Sequence, residues 1–127
     1  MHTKDVGNIS EAKLISRFLE LRYTVAVVFG DNARYDLIID KAGILNKIQC
    51  KTGRIKGDNI VFNTASVSPF TNQSNYYYGE IDFFAVYCPD NDKCYMMRPS
   101  VVAKSKGRIS LSNSGGKLTI NANHCEI

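Results

Sequence analysis

Two apolar strand runs joined by a tight turn limit the folds open to this chain more than any other feature. Tyr35-Asp36-Leu37-Ile38-Ile39-Asp40 and the run from Leu45 to Lys51 flank Lys41-Ala42-Gly43, so the chain doubles back as an antiparallel pair. Upstream, Leu14, Ile15, Phe18 and Leu19 recur at helical spacing behind Asn8-Ile9-Ser10-Glu11. Asn8 is a good N-cap, which predicts a helix from there to about Arg22. Thr24 to Phe29 is β-branched and aromatic and reads as a buried strand. A helix followed by a three-strand meander and further strands predicts an α/β (α+β) protein built on a mixed β-sheet.

Downstream, Thr52 to Asn59 reads as an exposed basic loop and Ile60 to Asn63 as a short strand. Residues 66–79 read as loop with a short helical turn. Ile81 to Cys88 is a strongly apolar strand, with Lys93 to Met97 as its hairpin partner. Pro99 to Ala103 opens a short helix, and Arg108–Leu111 with Leu118–Ile120 reads as a terminal hairpin around Gly115-Gly116. With 127 residues, 44% hydrophobic and 22% charged, and no linker or repeat, the expectation is one domain over residues 1–127. No apolar run approaches the ~20 residues of a membrane span, and Met1 to Val6 lacks a signal-peptide core, so a cytoplasmic protein is expected.

Cys50, Cys88, Cys94 and Cys125 include no C-x-x-C pair and read as free, packed thiols, although Cys88 and Cys94 could face each other across a hairpin. His2 and His124 are the only histidines, which argues against a histidine-based triad or a histidine metal centre. Net charge is +4. Residues 93–127 hold six Lys/Arg (Lys93, Arg98, Lys104, Lys106, Arg108 and Lys117) against Glu126 alone. That asymmetry suits a polyanion, and equally a solvated basic surface.

Chemistry concentrates in the central meander. Gln49 and Lys51 are two apart and share a face, while Ile48 and Cys50 take the other. If Lys41 to Ile44 form the loop, Asp40 opposes Leu45; the same register sets Asp36 opposite Gln49, with Lys51 one same-face pair beyond. Glu11 shares a helical stripe with Ile15 and Phe18 and faces inward, where a carboxylate needs a cation or donors. Two carboxylates, an amide oxygen and a lysine suit a magnesium-dependent phosphodiesterase site. Each residue also has a structural reading. Asn8-x-x-Glu11 resembles a capping box, Asp36 could cap the Asp31–Tyr35 turn, and Lys51 could be a solvated strand end.

Glu11 in a first helix, Tyr35-Asp36-Leu37-Ile38-Ile39 and then Ile48-Gln49-Cys50-Lys51 resemble the PD-(D/E)xK nuclease superfamily. More narrowly, Gly30-Asp31-Asn32-x-Arg34-Tyr35-Asp36, Gln49-x-Lys51 and Gly79-Glu80-Ile81-Asp82-Phe83-Phe84 are similar to intron-encoded homing endonucleases of the cyanobacterial type. The likeness covers about residues 7–99 and leaves 100–127 as a basic extension. It implies a restriction-endonuclease-like sheet with flanking helices and the active site on its second and third strands. It also implies Asp36 as metal-binding aspartate, Lys51 as catalytic lysine and Glu11 as helical acid. Gln49 stands where most members carry Asp or Glu, and Tyr35 replaces a proline. Gln49 retains a carbonyl oxygen for the metal but removes a charge, so Glu11 is needed as the second carboxylate.

The resemblance implies a magnesium-dependent, site-specific endonuclease of double-stranded DNA, with manganese able to replace magnesium. One site cuts one strand, so a double-strand break implies a homodimer or homotetramer. Arg34, Arg54, Lys56 and Arg108 are expected at phosphates, and Asn72, Gln73 and Asn75 at base edges. The Tyr76–Tyr78 run is left between core packing and base stacking. The alternatives are a nuclease selective for branched DNA, of the Holliday-junction-resolvase type, and a non-catalytic DNA-binding or assembly module, which Gln49 favours.

Overall fold

Leu14 and Phe18, spaced by one helical turn, are fully buried and fix the inner stripe of helix α1, Thr3–Glu20. The structure, a computed structural model, describes residues 2–30, 32–67, 74–76, 79–112 and 118–127. The helix starts well ahead of the expected Asn8. His2 is its N-cap, with extended backbone and an imidazole that accepts the Lys4 N–H. Gly7 and Asn8 lie inside the helix, where such residues lose only about 1 kcal/mol or less against alanine. Glu11 therefore lies in the third turn, and the capping-box reading is excluded.

The strands are β1 (Thr24–Val27), β2 (Leu37–Lys41), β3 (Ile44–Thr52), β4 (Arg54–Lys56), β5 (Asn59–Asn63), β6 (Ala65–Val67), β7 (Ser74–Tyr76), β8 (Phe83–Cys88), β9 (Lys93–Met97), β10 (Lys106–Ser110) and β11 (Ile120–Asn121). A second short helix, α2, spans Ala122–Cys125, and Pro99–Val101 makes one 3-10 turn. The main sheet has the order β1-β2-β3-β8-β9, and a second sheet the order β11-β10-β5-β4. β2 and β3 pair with Asp40 opposite Leu45 and Leu37 opposite Ile48, the register the sequence predicts. The loop is tighter than expected, since Lys41 and Ile44 also pair and only Ala42 and Gly43 turn, both at positive φ. That is the backbone of a two-residue hairpin loop.

The main sheet is buried on both faces at its centre. α1 covers Leu37, Ile39, Ile48, Ala85 and Tyr87 on one side. The second sheet covers Phe84, Val86, Cys88, Tyr95 and Met97 on the other with Ile60, Phe62 and Ile109. β8 runs parallel to β3 and alternates between the two cores, which explains its unbroken apolar sequence.

Several other expectations change. β1 is an exposed edge strand, because only β2 flanks it and its outer face meets no layer; Val27 is 60% exposed. Residues 54–56 are a strand paired with β5, not a loop. Within 66–79, expected as loop with a helical turn, Ser66 and Val67 of β6 pair antiparallel with Asn75 and Ser74 of β7. β10 and β11 run parallel, and the antiparallel partner of β10 is β5, so the terminal hairpin does not form. Cys88 pairs with Lys93 and Tyr87 with Cys94, which puts the two thiols on opposite faces; both are free, as are Cys50 and Cys125. Gly115-Gly116 lies outside the described residues. No described helix is long and apolar enough to cross a membrane.

Between β3 and β4 the chain passes through Gly53, whose site has no room for a side chain. A β-carbon there would lie 2.5 Å from Ile60 Cγ2 and 2.8 Å from Val86 Cγ1, both buried. Gly53→Ala should destabilise the fold by about 1–3 kcal/mol through overpacking. Urea denaturation should show a lower midpoint with an unchanged slope; an unmoved midpoint would mean that Ile60 and Val86 yield freely.

Candidate active site

β2 begins at Leu37, opposite Ile48, while β3 continues to Thr52, so residues 49–52 have β8 on one side and no β2 ladder on the other. An amide left without a strand partner needs another acceptor. Asp36, the residue just before β2, supplies it, since its Oδ2 accepts the Cys50 N–H at 2.9 Å. The Asp36 N–H donates to the Ile48 carbonyl at 2.8 Å, and its carbonyl accepts the Val28 N–H at 3.0 Å. Asp36 is thus pinned at the fork of two strands, bonded to the residues on either side of Gln49.

Glu11 reaches the same fork from α1. Its neighbour Ser10 is buried and shares a hydrogen bond of 2.5 Å with Thr52, which lays this helical turn over the end of β3. Glu11, Val28, Phe29, Gly30, Ala33, Tyr35 and Asp36 line a cleft of about 380 Å³. Gln49 and Lys51 pair with Phe84 and Val86 and so belong to the face opposite α1, adjoining Asp36 without lining that cleft. The site therefore wraps around the strand fork.

Electrostatics tie the parts together. Burial first, then the negative charge of Asp36, raises the Glu11 carboxyl above its ordinary value. Burial also raises Asp36, opposed by the Cys50 N–H bond and the Lys51 ammonium. The Cys50 thiol is pushed far up by burial and by both carboxylates, so it stays protonated. Two partly desolvated acids that repel each other form a site suited to a cation. Among the described residues no group of three or more His, Cys, Asp or Glu side chains could hold a metal. The donor set is two carboxylates on the cleft, with Gln49 on the adjoining strand between the two residues that Asp36 bonds. Hard magnesium is commonly held by one or two carboxylates completed by water and phosphate, so these residues fit it.

The other predicted residues scatter. Arg34 Nε donates to Glu80 Oε2 at 2.7 Å. Arg54, Lys56 and Arg108 are exposed on the second sheet. Asn72, Gln73, Tyr77 and Tyr78 lie outside the described residues, as do the side chains of Asn75 and Tyr76 in β7. Sequence reasoning misses Phe29 as a site residue, because its apolar run reads as buried strand; it is fully exposed at the cleft rim. It misses the Cys50 amide too, since only the strand fork leaves that group needing the Asp36 carboxylate.

Residues 1–118 match the family described as PD-(D/E)XK endonuclease. The structure of a bacterial homing endonuclease, I-Ssp6803I, superposes with a TM-score of 0.76 at 25% identity, covering 91% of this chain and 83% of that one. No curated protein sequence matches the chain.

The burial of Glu11 and its repulsion by Asp36 have a sign that stability measurements can read. A carboxyl raised in the folded state binds its proton more tightly there than in the unfolded chain, so stability falls as pH rises from the ordinary carboxylate range through the raised value. Glu11→Gln should therefore stabilise the metal-free protein at neutral pH. The gain should vanish below the ordinary Glu value of 4.5, where both states hold the proton. Urea titrations at both pH values check this; a variant no more stable at neutral pH would show that neither burial nor Asp36 penalises the Glu11 charge.

Proposed function

Because the chain belongs to the PD-(D/E)XK endonuclease family, we propose that it is a magnesium-dependent, site-specific endonuclease of the homing type that hydrolyses double-stranded DNA. The observation that carries this reading is the pair of carboxylates, Glu11 and Asp36, lining one cleft at a strand fork, with Asp36 bonded to the Cys50 amide and acted on by the Lys51 charge. Nucleases of this family generally use divalent metal ions. The homing type is supported by the likeness to a bacterial homing endonuclease.

Glu11, Asp36 and the amide oxygen of Gln49 would hold the magnesium ion, with manganese able to replace it. When bound, such an ion polarises the scissile phosphate and acidifies water. The Cys50 N–H fixes one oxygen of Asp36, and the other would serve the metal. Lys51 supplies positive charge where negative charge builds on the phosphate, and orients the attacking water. Gln49 adds no charge, so two carboxylates balance one divalent ion. A double-strand break takes two such sites, hence a homodimer or homotetramer. The enzyme would work on DNA in the cytoplasm.

The neutral Gln49 also favours a second reading, a DNA-binding module without turnover. Incubation with a random duplex library in magnesium separates the readings. A single long recovered site means homing, cleavage of branched DNA alone means a resolvase-like enzyme, and no cleavage means a binding module. Asp36→Ala and Lys51→Ala should each lower cleavage by about 10²-fold or more while DNA binding persists. Gln49→Glu should retain cleavage at lower magnesium, and Gln49→Leu should lose it. Near wild-type cutting by the Asp36 or Lys51 variant would overturn the site; undiminished cutting by Gln49→Leu would reduce Gln49 to strand filler.

A further inference from the structure

We propose that the outer face of the second sheet is a track for the phosphate backbone of duplex DNA, running on from the catalytic strand; this rests on the nuclease reading above. The register builds the face row by row. Arg54 of β4 lies opposite Val61 of β5, which lies opposite Arg108 of β10. Lys56 lies opposite Asn59, itself opposite Ser110, and Lys106 lies opposite Asn63. Strand alternation puts all of these on one face. The residues between them, Ile60, Phe62, Gly107 and Ile109, are buried and face the inter-sheet core. Gly107 is glycine for a local reason, since a β-carbon there would run into the Phe62 ring.

Arg54, Lys56, Lys106 and Arg108 are all exposed. The cations of each strand are two residues apart, about 7 Å, and the two strands stand either side of β5, about 10 Å from each other. No acid occupies any of these rows, and no ion pair to any of the four occurs among the described residues. Asp58 sits in the β4–β5 turn, and Asp90 caps the outer edge of β4 by accepting the Ile55 N–H at 2.8 Å. Four like charges gathered on one face, with the nearby acids at its turn and edge and none in these rows, call for an anion. A concavity of about 220 Å³ on this face is lined by Thr52, Arg54, Lys56, Val61, Asn63 and Lys106 among others, with Arg108 beside it as the strand partner of Val61. Arginine forks and lysines grip phosphate oxygens, and the Asn59 and Asn63 amides between them are further donors for the nucleic-acid backbone.

Position makes duplex DNA the occupant. Arg54 follows Lys51 by three residues, a reach of about 10 Å in extended chain. Gly53, locked between Ile60 and Val86, holds β4 in a set relation to β3. A strand with its scissile phosphate at Lys51 would thus carry its flanking phosphates onto Arg54 and across to Arg108. The charges come from two distant stretches of sequence and meet only through the β4–β5–β10 pairing.

The test is binding of the full chain to a labelled random-sequence duplex in metal-free buffer over a salt series, beside cleavage of the same library in magnesium. The double variant Arg54→Ala/Arg108→Ala should bind roughly tenfold or more weakly, with a slope of log affinity against log salt shallower by about 2, near 0.9 for each phosphate no longer neutralised. The double Arg→Lys variant should recover the slope, which shows that charge and not folding is responsible. Lys4→Ala, an exposed cation on α1, should change neither quantity. An unchanged slope in the double alanine variant overturns the track, as does an equal loss from Lys4→Ala. Single-stranded RNA competing better than duplex would also overturn it. A flattened slope in a protein that cuts no DNA would uphold the track and sink the nuclease reading; normal cutting with an unaltered slope would do the reverse.

Discussion

Cys50 has an amide proton on the side of β3 that β2 does not reach, and the Asp36 carboxylate is what receives it. Much follows from that hydrogen bond. It lets β2 and β3 part without leaving a bare amide, holds the second strand's entry against β3, and fixes the acid at the mouth of the fork. The same bond opposes the burial that raises the Asp36 carboxyl, and so helps to keep it ionised where a metal would need it. Placing Glu11 nearby then works against stability, because burial and the Asp36 charge both disfavour its ionised form. Functional sites commonly carry such local destabilisation, and the surrounding core compensates.

That core is arranged in layers which a bare αβββ unit would lack. α1 seals one face of the main sheet, and the second sheet seals the other. The C-terminal residues contribute Val102, Ile109, Ala122 and Cys125 to the inter-sheet core, so they act as packing as well as charge. Without that layer Phe84, Val86 and Tyr95 would lie open to water, and β8 could not support the face of β3 that carries Gln49 and Lys51. Gly53 is the joint between the layers. Its missing side chain lets Ile60 and Val86 close over the chain as it passes from the catalytic strand into the second sheet.

Short-range patterns are legible in the residues themselves. The β2–β3 register follows from the Lys41-Ala42-Gly43 turn, because pairing across a tight turn leaves few alternatives and a slip would turn Leu37, Ile39 and Ile48 out of the core. The inward placement of Glu11 follows from its spacing to Phe18. The helix start does not, because Asn8 is a good cap in isolation and nothing nearby in sequence shows that His2 caps first. Phe29 reads as core because an apolar residue after four strand formers usually is; its exposure depends on no layer covering the outer side of β1.

The sequence by itself determined the elements whose partners lie close along the chain: the amphipathic helix, the central hairpin with its register, the β8–β9 pair, and the chemical kinds of Glu11, Asp36, Gln49 and Lys51. Local hydrogen bonding and side-chain periodicity are sufficient there. Tertiary structure alone decided that β10 lies beside β5, that β11 runs parallel to β10, and that Arg54 and Arg108 share one face. It alone decided that Asp36 bonds Cys50 and that Glu11 comes from the opposite face to Gln49 and Lys51. Those outcomes depend on pairing and burial between segments far apart in the chain, where many arrangements satisfy the same local pattern and only packing of the whole core selects among them.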